Sequence, residues 1–201
     1  MYSDRFEQAL GFAHRLHHKQ RRKTSGTPYI AHLLGVAEIV IEDGGTEDEA
    51  IAALLHDSLE DQGRHYEGGV DALAAEIEAR FGVDVRRLVE ALTEQTTVAI
   101  SRIADKRERW RAHKRAYFEQ IHDAGPEVRR ISCADSLHNV RSLLSGYRRL
   151  GERVWTRFLT GRADDQIWAY RSAAKAFQEA GTGPLADELA EAVDALEAAT
   201  R

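Results

Sequence analysis

The sequence predicts an all-α fold. Long stretches are dominated by Ala, Leu, Glu and Arg, which form helices readily, and only three prolines interrupt 201 residues. Apolar residues recur at helical spacing throughout. A chain of this length encloses one substantial core, and no linker or composition shift divides it. The expectation is a single domain over residues 1–201, a helical bundle of about nine or ten helices.

The elements follow in order. Phe6, Ala9, Leu10, Ala13 and Leu16 predict a first helix from about Asp4 to Arg22, broken by Thr24, Ser25, Gly26 and Thr27. Thr27 is placed to cap a second helix with Pro28 at its first position, where a missing N–H costs nothing. That helix carries His32 and ends at Gly44 and Gly45. Thr46 and Glu49 have the capping-box spacing for a third helix, which delivers Ala50 through Asp61. A polar loop is expected from Gln62 to Gly69, then helices near 70–80 and 83–94 separated by Gly82. Gln95 to Ala104 reads as irregular, and a charged helix runs from about Asp105 to Asp123. Pro126 opens the helix bearing Asp135 and Asn139, and three more helical stretches lie near 151–160, 164–180 and 184–199.

Composition narrows the function. The single cysteine, Cys133, forms no internal disulfide, which fits a reducing cytoplasm. No run approaches the roughly 20 apolar residues of a membrane span, and no signal peptide is evident. A net charge of −5 argues against general nucleic-acid binding. Positive charge is local, at Lys19 to Lys23 and at Lys106 to Arg115, a distribution suited to a small anionic ligand.

The chemistry centres on His56 and Asp57, adjacent in Leu54 to Asp61, with His32 upstream and Asp135 downstream. Two imidazoles and two carboxylates drawn from three helices are able to wrap one divalent metal. On a regular helix His56, Asp57, Glu60 and Asp61 fall within one arc of roughly 140°, with Leu54, Leu55 and Leu59 on the other side. Asp135, His138, Asn139 and Ser142 likewise share a face, opposite Cys133, Leu137, Val140 and Leu144. Polar stripes of this kind are costly to bury unless partners satisfy them. Each feature alone also has a plain structural reading: His32 as a hydrogen-bonded helix-start residue, and Lys19 to Lys23 as a solvated helix end that complements the dipole. His14, His17, His18, His65, His113 and His122 receive only a structural role, and His138 either lines the polar face or packs.

Taken together, His32, His56, Asp57 and Asp135 resemble the metal-binding pattern of the HD superfamily of phosphohydrolases. The segments Arg21 to His32, Leu55 to Asp61 and Ala134 to Arg141 are similar to the hydrolase domain of RelA/SpoT-type alarmone enzymes, as is Arg80 to Thr93. The strong resemblance covers about residues 5–145, with the helices of 150–199 packing on it. It implies an HD-type fold and hydrolysis of the 3′-pyrophosphate of (p)ppGpp, giving GDP or GTP in a Mn2+-dependent reaction. By that resemblance the metal ligands are His32, His56, Asp57 and Asp135, and Glu60 and Asp61 orient or deprotonate the attacking water. Arg22 lies near the scissile phosphate, Lys23 and Ser25 on the nucleotide, and Asn139 on its sugar, with Tyr29 and Ser142 lining the pocket. Ser136 and Leu33 depart from the family pattern, where Arg or Lys and Pro are usual. Ser136 and the altered loop between Lys23 and Pro28 keep an adenosine alarmone, NADPH or a nucleoside monophosphate open as substrate, and a non-catalytic nucleotide-binding module is the reading of a different class. Oligomeric state is not implied.

Overall fold

The computed structural model describes residues 2–93 and 97–201, and these form two compact units. Among the described residues there is no strand, only an isolated bridge between Arg21 and Pro28, and the fold class is all-α as expected.

The first unit comprises residues up to Arg22 and from Thr27 to Thr93. Its helices are α1 (Asp4–His17), α2 (Ile30–Glu42), α3 (Glu47–Leu55), α4 (Gly69–Phe81) and α5 (Val83–Leu92). Helix α3 is the centre: every residue from Ala50 to Leu55 is fully buried, and α1, α2 and α5 pack around it. Its start is fixed locally. Thr46 accepts from the Glu49 backbone, and the Glu49 carboxylate accepts from the Thr46 backbone N–H at 2.7 Å. Gly82, at φ +91°, turns the chain between α4 and α5 in a conformation that side chains disfavour.

Three expectations for this unit need correction. Helix α1 stops at His17, five residues early, because residues 20–29 form a tight loop in which Tyr29 N–H bonds Gln20 O and Arg22 N–H bonds Thr27 O. Pro28 is therefore in the bridge, and α2 begins beyond it at Ile30 with no side-chain cap. The helix expected to carry Ala50 through Asp61 ends at Leu55. Ser58–Gln62 form a π-helical turn and Gly63–His65 a 3-10 turn, so the single-arc geometry for His56 to Asp61 does not apply.

The second unit comprises Lys23–Gly26 and the chain after Glu94. It holds α6 (Val98–Ser101), α7 (Lys106–His122), α8 (Pro126–Leu150), α9 (Ala163–Glu179) and α10 (Pro184–Thr200), with a 3-10 turn at Gly151–Arg157. The beginning of the irregular stretch predicted from Gln95 lies outside the described residues. Pro126 opens α8 at its first turn, as its fixed φ predicts. Helix α8 packs on α10, and α9 packs on both α7 and α10. Ile131, Leu137, Val140, Phe177, Leu189 and Val193 fill the space between them. Trp155 is buried with this core, while Trp168 is half-buried under the Arg111 guanidinium, 4.8 Å from its ring centre. Among the described residues no helix is long and apolar enough to cross a membrane.

Candidate functional site

In the first unit the chain leaves helical geometry where the chemistry is needed. His56 caps the end of α3, and Asp57 follows at φ −89°, ψ 0°, before the π-helical turn. His32, on the first turn of α2, is 1% exposed. Its ring meets that of His56 edge-on, with centres 5.2 Å apart. His56 Nδ1 donates to the Ala53 carbonyl at 2.8 Å, which fixes the tautomer and leaves a lone pair on the buried Nε2. That Nε2 lies 3.0 Å from Asp57 Oδ2, and His32 Nε2 lies 3.7 Å from the same oxygen.

These separations test the donor set. Imidazole lone pairs directed at a carboxylate oxygen repel it, and a cation among them would remove that repulsion. A six-coordinate divalent ion with donors at about 2.1 Å spaces neighbouring donors by about 3.0 Å, which the His56–Asp57 separation matches. The residues therefore fit a divalent metal. Tyr29, expected to line the nucleotide pocket, instead donates its hydroxyl to Asp57 Oδ2 at 2.5 Å and steers that carboxylate. The Arg22 guanidinium lies over the Tyr29 ring, 5.8 Å from its centre, held there by the loop that ended α1 early.

Asp61 is organised by residues to which the sequence reading gave no part. His17 Nδ1 and Gln62 Nε2 both donate to Gln20 Oε1, at 2.7 and 2.6 Å. With its oxygen doubly occupied, the Gln20 amide must turn its NH2 outward, and it donates to Asp61 Oδ2 at 2.6 Å. Ser58 closes the chain, its hydroxyl 3.5 Å from His17 Nε2. His17 is 2% exposed, and burial holds its imidazole below the ordinary histidine range against the opposing bond to Gln20, so the ring is neutral. It stacks on Tyr29 at 5.3 Å. Its purely structural assignment thus misses its place in this network. The signal was present: Ala9, Ala13 and His17 recur every fourth residue along the buried side of α1. Glu60, by contrast, is exposed.

In the second unit Asp135 is half-buried on α8, and the Asn139 amide one turn on donates to its Oδ1 at 2.7 Å. Asn139, expected on the nucleotide sugar, is thus seen holding a carboxylate. Ser142 shares a 2.9 Å hydrogen bond with Thr24, and the Lys23 carbonyl accepts from Arg157 at 2.9 Å. Lys23 is exposed and Ser25 half-buried in this loop.

A helical chain that turns a buried histidine toward a His-Asp doublet belongs to the HD domain family, whose model matches residues 9–164. HD hydrolases imply a divalent metal, and His32, His56 and Asp57 stand together as a cluster of two imidazoles and a carboxylate. Among relatives, the chain is 40% identical over 139 residues to the human guanosine-3′,5′-bis(diphosphate) 3′-pyrophosphohydrolase MESH1, covering 68% of each. It is 37% identical over 142 residues to the guanosine-3′,5′-bis(diphosphate) 3′-pyrophosphohydrolase of Aquifex aeolicus, covering 71% of this chain and 18% of that one. A solved metazoan SpoT ortholog, described as hydrolysing ppGpp, superposes with a TM-score of 0.70 at 28% identity, covering 96% of this chain and 95% of the other.

Proposed function

We propose that the chain is a metal-dependent 3′-pyrophosphohydrolase of guanosine alarmones, converting (p)ppGpp to GDP or GTP and pyrophosphate. The observation that carries this reading is the convergence of His32, His56 and Asp57 nitrogen and oxygen atoms within 3.7 Å of Asp57 Oδ2. The 40% identity to a pyrophosphohydrolase of this specificity supplies the substrate class. The family model runs through both units, which supports reading residues 1–201 as one hydrolase domain. A small nucleotide substrate, no nucleic acid and a cytoplasmic location complete the reading.

His32, His56, Asp57 and Asp135 are the ligands in this reading, with Asn139 orienting Asp135. A bound Mn2+ supplies Lewis-acid polarisation of the phosphoryl group and a water of lowered pKa. Asp61, presented by Gln20, accepts the proton of the attacking water, and Glu60 assists from the exposed side of the same turn. Water forms a bond to the phosphorus attached at the 3′ oxygen, the 3′ O–P bond breaks, and the 3′ oxygen leaves with a proton as the hydroxyl. Arg22 meets the charge that builds on the phosphoryl oxygens, its plane set by Tyr29. Lys23, Ser25 and Ser142 complete the nucleotide contacts.

The test incubates the Mn2+-loaded protein with ppGpp, pppApp, NADPH and nucleoside monophosphates and reads products by mass. The expected products are GDP and pyrophosphate from ppGpp, with turnover stopped by chelation. Release of orthophosphate alone, or turnover only of NADPH or a monophosphate, would overturn the alarmone assignment. Tight ppGpp binding without turnover would make the chain a binding module.

A further inference from the structure

A second concave feature of the first unit lies beside Asp61. It is a cleft of about 660 Å³ between the end of α1 and the 3-10 turn that follows the π-helical turn. That volume is in the range of small-molecule sites, roughly 300–1,000 Å³. Arg15, His18 and Lys19 line it from α1 and the residues just after it, and Arg64 and His65 line it from the turn. Among the described residues the only carboxylate on its wall is Asp61, which is engaged by Gln20.

Several arginines elsewhere in the chain are held by carboxylates: Arg5, Arg86, Arg107, Arg111, Arg141 and Arg171 are each within ion-pair distance of one. Among the described residues, Arg15, Lys19 and Arg64 have no such pairing. Arg64 Nε donates to His65 Nε2 at 3.0 Å, and His18 Nδ1 donates to the Arg15 carbonyl at 2.8 Å. Neither contact cancels charge. A chain of net charge −5 thus gathers three permanent cations and two imidazoles around one concavity. Low-dielectric walls focus such a field, and guanidinium groups match phosphate oxygens in geometry as well as in sign.

We propose that this cleft is a binding subsite for a diphosphate group. Two sources share that chemistry: the 5′ arm of the nucleotide, which rests on the alarmone reading above, and free pyrophosphate, which does not.

The experiment uses the full chain and the triple variant Arg15→Gln, Lys19→Gln, Arg64→Gln. First, the chelated, metal-free protein is titrated with inorganic pyrophosphate by calorimetry at low salt. Saturable binding is expected in the wild type and in His56→Ala, weakened at least about tenfold in the triple variant. Second, the Mn2+-loaded proteins are compared on ppGpp and on its analogue with a free 5′-hydroxyl. A KM raised for ppGpp alone, with kcat kept, identifies the 5′ arm as the occupant. Unchanged KM values with weakened product inhibition by pyrophosphate identify free pyrophosphate. If melting shows the triple variant unfolded, the single variants Arg15→Gln and Arg64→Gln replace it. Absence of saturable pyrophosphate binding in the chelated wild type, or equal binding by the variants, overturns the proposal. Should the wild type turn over no alarmone at all, the hydrolase reading fails while the titration still decides the cleft.

Discussion

In the first unit the Asp61 carboxylate takes a 2.6 Å hydrogen bond from a neutral amide, that of Gln20, whereas in the second unit Asp165 sits between two guanidiniums, Arg107 and Arg111, at 2.7 and 2.6 Å. Both carboxylates are positioned by side chains of other elements. A neutral donor orients a carboxylate without adding a countercharge, so its charge stays available to water or substrate. Two guanidiniums orient and neutralise at once, and Asp165, fully buried, is left with a structural task. Under the proposed function, the contrast separates a group that takes part in the reaction from one that holds α7 against α9.

The largest expected effect comes from the metal cluster. His56→Ala and Asp57→Ala should each lower kcat by at least about a thousandfold while far-ultraviolet circular dichroism stays unchanged. Next, Gln20→Leu removes the donor that aims Asp61. It should lower kcat about 10–100-fold with KM within about twofold, a loss of the size seen when groups supporting a metal site are removed. Full activity in Gln20→Leu would erase the distinction drawn here, because Asp61 would then need no orienting.

Asp165→Asn should do the reverse, leaving kcat per folded molecule unchanged while lowering stability by about 1–3 kcal/mol. The estimate is kept small because Arg107 and Arg111 retain 43% and 31% side-chain exposure. Burial alone would raise the Asp165 carboxyl, but its bonds to Arg107 and Arg111 win and hold it below the usual carboxylate range. The stabilisation it supplies is therefore complete above the unfolded-state pKa of about 3.9 and drains away as pH falls through the lower folded value. Urea melts from pH 7 downward should show that acid slope in the wild type and a shallower one in Asp165→Asn.

The elements legible in the sequence were those set by local chemistry. Thr46 with Glu49, Pro126 and Gly82 mark boundaries because capping, a fixed φ and a positive φ act within a few residues. The His56–Asp57 doublet and His32 were legible by residue type. Less legible was what the backbone does between helices. Helical periodicity extrapolates α1 to about Arg22 and α3 through Asp61, and both helices stop where loop and π-turn hydrogen bonds replace the regular ladder. The His17–Gln20–Gln62 network depends on those departures, since it joins residues about 40 positions apart that no spacing rule relates. Tyr29 and Asn139 were named as candidate substrate contacts, and their hydrogen bonds to Asp57 and Asp135 follow from packing alone.

The central claim is that His32, His56, Asp57 and Asp135 together hold one catalytic ion. Electron paramagnetic resonance during Mn2+ titration measures it directly. The wild type should take up a single tight equivalent, and His32→Ala, His56→Ala and Asp135→Ala should each leave the added ion in its free aqueous signal. Undiminished uptake by Asp135→Ala or His32→Ala would contradict the shared site.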